Sequence, residues 1–105
     1  MCKEKKETRY ITMMLKKLTA MPYAQAHIEI DNENNKNLFS YVTRVATLTN
    51  DGWLTIYGLY SMTTRKHISA FCKEYCQAVD YQMAKAAYEG GYSINVFTGE
   101  IEELA

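Results

Sequence analysis

Between Tyr41 and Tyr60 the chain carries two runs rich in β-branched and aromatic residues, parted by Asn50-Asp51-Gly52. Those three residues tolerate positive φ, as a tight hairpin turn requires, so residues 41–48 and 53–60 are expected to pair as antiparallel strands. Neither run alternates cleanly between apolar and polar. That predicts strands covered on both faces, or a sheet with helices on one face and a partner on the other. Gly58 marks a bulge or a close backbone approach. After Tyr60 the period changes: Ile68, Phe71, Cys72, Tyr75, Cys76 and Val79 recur at three and four residues, the stripe of a half-buried helix. Ser61, Thr63 and Thr64 can each cap its start.

On the near side of this unit, Ile11, Met14, Leu15 and Leu18 share one helical face, predicting a helix from a Thr8 cap to Met21-Pro22. Ala24, Ala26, Ile28 and Ile30 then alternate with polar residues as a half-exposed or edge strand, and 31–37 read as a loop turning it back. Beyond the main helix, the stripe either continues through Met83 and Ala87 or breaks at Asp80, which would cap a second helix stopping at Gly90-Gly91. The break is the preferred reading. Residues 94–97 predict a short strand before a Thr98-Gly99 turn. The sum is a single α+β domain over residues 1–105. It has an N-terminal helix, a three-stranded antiparallel sheet with one or two helices packed on it, and a short C-terminal strand.

Composition narrows the function more than the fold. Twelve basic residues balance twelve acidic ones, which argues against a general nucleic-acid binder and against a wholesale acidic mimic of DNA. No apolar run approaches the ~20 residues of a membrane span. The charged start MCKEKKETRY lacks the apolar centre of an export signal. The expected location is therefore the cytoplasm of a host bacterial cell, with the three cysteines reduced. Nine tyrosines in this length point to binding, because tyrosine offers a large rigid body with a polar end.

Four constellations bear on chemistry. Ser61, Thr63, Thr64, Arg65, Lys66 and His67 gather at the start of the main helix, and Arg44 adds a further cation. Free amides, the helix dipole, hydroxyls and cations form an anion site there, or the group is a capped helix with a solvated flank. Cys72 and Cys76 lie one turn apart on the apolar stripe. They read as buried small hydrophobes, since His67 is rotated off their face and no second cysteine pair completes a zinc set. His27 and His67 are the only histidines, and no nucleophile sits in a recognisable elbow, so no enzyme, catalytic residue, metal or cofactor is expected. Finally, Tyr57, Tyr60, Glu29, Asp31 and Glu33 are candidates for a partner interface. Glu100, Glu102 and Glu103 would join the acids if the fold brings the two groups together.

The string 41–71, with Tyr41, Val45, Gly52, Gly58, Tyr60, Ser61, Thr63, Thr64, His67 and Ile68 at matching places, resembles a pattern in a family of small proteins from phages and other mobile elements of Gram-positive bacteria. In that family an aromatic strand, a short turn and a Tyr-Ser-x-Thr-Thr-x-x-His-Ile helix start follow one another. The resemblance covers about a third of the chain and brings no catalytic residues with it. Its setting implies a non-enzymatic protein that binds and inhibits a host defence complex. Anti-CRISPR proteins are the concrete example, similar in type and not in motif. The expected partner is then a host protein such as a CRISPR effector nuclease or its ribonucleoprotein. The alternative is a nucleic-acid accessory protein that contacts phosphates through residues 61–67. A third reading is a homodimer through an edge strand such as residues 24–30.

Overall fold

A computed structural model describes residues 12–19, 21 and 24–104. Among these residues, seven strands run in chain order across one antiparallel sheet: β1 Thr12–Lys16, β2 Ala26–Asp31, β3 Lys36–Ser40, β4 Thr43–Leu48, β5 Trp53–Ile56, β6 Tyr92–Asn95 and β7 Ile101–Glu103. Two helices, α1 Met62–Tyr75 and α2 Tyr81–Gly90, stand between β5 and β6. They cover one face of the sheet. Ile28, Leu38, Ala46, Leu54 and Ile94 from that face and Ile68, Phe71, Cys72 and Ala84 from the helices close the core.

The expected three-stranded sheet with an N-terminal helix is thus overturned by a seven-stranded one. Residues 12–16 form an edge strand in which Met14 opposes Ile30 and Lys16 opposes Ile28. The helical spacing of Met14, Leu15 and Leu18 misleads because a short apolar run fits either period. Here the free edge of β2 offers hydrogen bonds that a four-residue apolar face cannot outweigh. Leu18 is fully buried, but two residues past the end of the strand. Thr8, Ile11 and Pro22 lie outside the described residues.

The long run at 38–48 is two strands. Tyr41 adopts φ 58°, a left-handed turn conformation that no glycine or proline announced. Its amide donates to the Gln25 carbonyl at 2.7 Å, which holds the turn against the start of β2. A bulge follows: Leu38 opposes Ala46 while Phe39 opposes Arg44, so Val45 is the extra residue. Val45 and Ala46 are both buried in consequence, and Arg44 is swung to the far face.

The expected strand at 53–60 ends at Ile56, and residues 26–31 lie inside the sheet between β1 and β3, not at its edge, whereas the hairpin turn and the helix break hold. The turn at 49–52 closes β4 on β5, with the Gly52 amide donating to the Thr49 carbonyl at 3.0 Å. Gly52 sits at φ 98°, and a Cβ there would meet the Phe97 ring at 2.6 Å. Gly58 is a close approach and not a bulge, since it lies past β5 with the Tyr60 ring folded over it. The helical stripe breaks where Asp80 caps α2 by accepting from the Met83 amide, and Gly91 ends it in the left-handed region. In the 31–35 turn the Asp31 carboxylate accepts from the amides of Glu33 (2.9 Å) and Asn35 (3.0 Å). The tail strand begins earlier than residues 94–97 and pairs with a seventh strand.

Candidate binding surface

The anion constellation at the start of α1 divides between inside and outside. Ser61 is the N-cap, its hydroxyl accepting from the Thr64 amide at 3.1 Å. Thr64 and His67, three residues apart, face inward and are buried, whereas Thr63, Arg65 and Lys66 face solvent. The inward pair joins a chain of hydroxyls. Ser61 Oγ lies 3.2 Å from Thr64 Oγ1, which lies 3.4 Å from Ser40 Oγ, which lies 2.9 Å from His67 Nδ1. The Tyr41 ring is tilted against the imidazole with centroids 6.3 Å apart. Burial holds His67 below the usual histidine range. A serine bonded to a histidine invites comparison with a catalytic pair. Ser40 and His67 are only 3% and 1% exposed, and among the described residues no carboxylate bonds the ring, so the arrangement pins α1 to β3.

The opposite face of the sheet has no helix on it among the described residues. One row crosses it from strand to strand: Leu15 opposes Glu29, Glu29 opposes Asn37, Asn37 opposes Thr47, and Thr47 opposes Thr55. The Thr55 hydroxyl continues it to Ser93 Oγ at 2.7 Å, and Ser93 opposes Glu102. The middle of this row is uncharged and bonded within itself. The Thr47 hydroxyl donates to Asn37 Oδ1 at 2.9 Å, and the Asn37 amide donates to the Glu29 carbonyl at 3.3 Å.

Aromatic and cationic side chains flank the row. His27 stacks on Phe39 with centroids 5.0 Å apart and planes within 3°. The bulge brings Arg44 beside them, its guanidinium 4.9 Å from the Tyr57 centroid and 3.3 Å from Asn37 Oδ1. The Tyr57 hydroxyl donates to Thr47 Oγ1 at 3.2 Å, and half-buried Trp53 stands two residues before Thr55 on the same side. At the adjoining end Tyr41, Val42 and Tyr60 are exposed, Val42 by 91%.

Of the residues expected at a partner interface, Tyr57 and Glu29 lie on this face and Tyr60 beside it. The Glu29 carboxylate lies 3.0 Å from His27 Nε2, within hydrogen-bonding distance. Asp31 is spent inside its turn and Glu33 is exposed on that turn. The two acidic groups do not meet, since β2 and β7 are separated by four strands. Sequence reasoning passed over Phe39, Asn37, Thr47 and Trp53. Their signal was half-hidden alternation within strands whose register a bulge resets. Cys72 and Cys76 are buried with their thiols hydrogen-bonded, which lowers the pKa of Cys72 and raises that of Cys76.

Among the described residues no helix is long and apolar enough to cross a membrane. A family model described only as a family of unknown function, DUF8033, matches residues 10–89, from β1 through all but the last residue of α2. No curated protein and no solved structure matches the chain.

Proposed function

This chain belongs to the DUF8033 family, and we propose that it is a non-enzymatic binding protein whose open sheet face docks onto a host protein. The observation that carries this reading is the make-up of that face. A solvated sheet face ordinarily carries lysine, glutamate and threonine in alternation. Here the centre is uncharged, with Asn37 and Ser93 buried, and Phe39, Arg44, Trp53 and Tyr57 surround it. Protein interfaces have that signature: charge is depleted at the centre while aromatic residues and arginine are enriched. Seven strands about 4.8 Å apart make a face about 30 Å wide. With Tyr41, Val42 and Tyr60 at its end, it approaches the ~800 Å² that each partner contributes to a standard interface.

The resemblance at residues 41–71 supplies the kind of partner: a phage or mobile-element protein inhibiting a host defence complex, with a CRISPR effector nuclease as the concrete case. The enclosed Ser40–His67 pair supports a role other than catalysis, because no substrate reaches a group so covered. The test is capture from a nuclease-treated bacterial lysate by immobilised protein, in parallel with an Arg44→Ser, Tyr57→Ser double variant. A single defence effector retained by the first and lost from the second is expected. The purified effector should then lose its cleavage activity when the protein is added. Equal retention by both forms would reject the open face as the docking site.

A further inference from the structure

The outer side of the helix layer holds two adjoining clefts. One, of about 340 Å³, is lined by Arg65, Lys66 and Ser69 of α1 and by Tyr81, Gln82 and Lys85 of α2. The other, of about 270 Å³, shares Lys66 and Ser69 and adds Lys73. Four cations therefore surround the pair, and among the described residues no acid lines either cleft. In a chain with equal acidic and basic counts this is segregation of charge. The acids of these two helices and of the α2 cap are engaged elsewhere, Asp80 accepting from the Met83 amide at 2.9 Å. The Glu74 carboxylate accepts from the amide and hydroxyl of Thr19 at 2.8 and 2.7 Å. Glu89 holds Lys85 only through an exposed contact of 3.6 Å, a kind of pair that exchanges readily.

Two further observations call for an anion. The first turn of α1 holds no acid and its cap is a serine, and Arg65 and Lys66 stand near the positive end of its dipole, where cations are unfavourable unless something negative joins them. The Tyr81 hydroxyl is out of reach of solvent and has no hydrogen-bond partner among the described residues. The cations are also spread out. Lys66 and Lys73 are seven residues, about 10 Å, apart along α1, more than one phosphate can bridge.

We propose that this outer helix face binds the sugar-phosphate backbone of a nucleic acid, without reading sequence. The site shares no residue with the open sheet face and stands independently of it. It also differs from the anion site expected at residues 61–67: Thr64 and His67 are turned inward, and Lys73, Lys85 and Tyr81 take their place. Balanced overall charge is no obstacle, because backbone binding depends on the local patch.

Fluorescence anisotropy with a labelled single strand and the matching duplex, between about 50 and 200 mM salt, tests this. At least one should bind, with log affinity falling against log salt at a slope of about −2 to −4 for up to four phosphate contacts. Lys66→Gln, Lys73→Gln and Lys85→Gln should each flatten the slope by about 1. Replacing all four cations by glutamine should abolish binding while leaving the thermal midpoint and capture through the open face unchanged. Absence of binding to both probes at the lowest salt, or undiminished binding by the fourfold variant, would overturn the proposal.

Discussion

The two faces of the sheet satisfy their side chains in opposite ways. On the covered face, Ile28, Leu38, Leu54 and Ile94 are removed from water by α1 and α2, and the gain is the apolar area buried. On the open face, Asn37 bonds to Thr47 and Thr55 bonds to Ser93 across strands, which keeps polar groups paired without lysine or glutamate to solvate them. The covered face is where stability resides. The open face has uncharged side chains at its centre, so a partner covering it leaves few ions to strip of water.

Substitutions should separate the two faces by size of effect. Phe71→Ala, in the middle of the core, should cost about 3–5 kcal/mol in urea unfolding. Next comes the polar pin between the layers. Ser40→Ala leaves His67 Nδ1 buried without its partner and should cost about 1–3 kcal/mol. His67 also imposes a pH dependence. Its folded pKa lies below the unfolded value, so the unfolded chain takes up protons first as pH falls through about 6.5. Stability should therefore be full near neutrality and decline towards pH 5, and urea midpoints of His67→Asn should show much less of that decline. Smaller still, Ser61→Ala and Asp80→Ala each remove a cap and should cost about 1 kcal/mol. Tyr57→Ala on the open face should shift stability by no more than about 0.5 kcal/mol while abolishing partner capture. A large loss of stability in that variant would show that the open face is structural and erase the contrast.

Features set by neighbouring residues were legible in the sequence. The Asn50-Asp51-Gly52 hairpin, the caps at Ser61 and Asp80 and the stop at Gly91 all rest on local backbone chemistry. Features set by pairing were not. Residues 12–16 became a strand because β2 had an edge to offer, and the run at 38–48 folded back at Tyr41 with neither glycine nor proline to mark the place. The binding face was hidden for the same reason. Phe39, Arg44 and Tyr57 come from or just past three different strands, and only the extra residue at Val45 sets them side by side. The helix start showed its residue types but not their directions. One residue of rotation separates Lys66, in solvent, from His67, in the core.

The order of the strands has a kinetic consequence. Because spatial order repeats chain order, β1 to β5 each pair with the strand made just before or after, so these partners lie within a short stretch of chain. Such a meander can zip up progressively, with little loop-closure entropy at each step. The junction of β5 with β6 is the exception. Thr55 and Ser93 are 38 residues apart, and both helices must be in place to bring them together. On a ribosome the first five strands therefore emerge able to pair while their apolar face is still bare. The chain is most exposed to aggregation in the interval before α1 and α2 arrive to cover it.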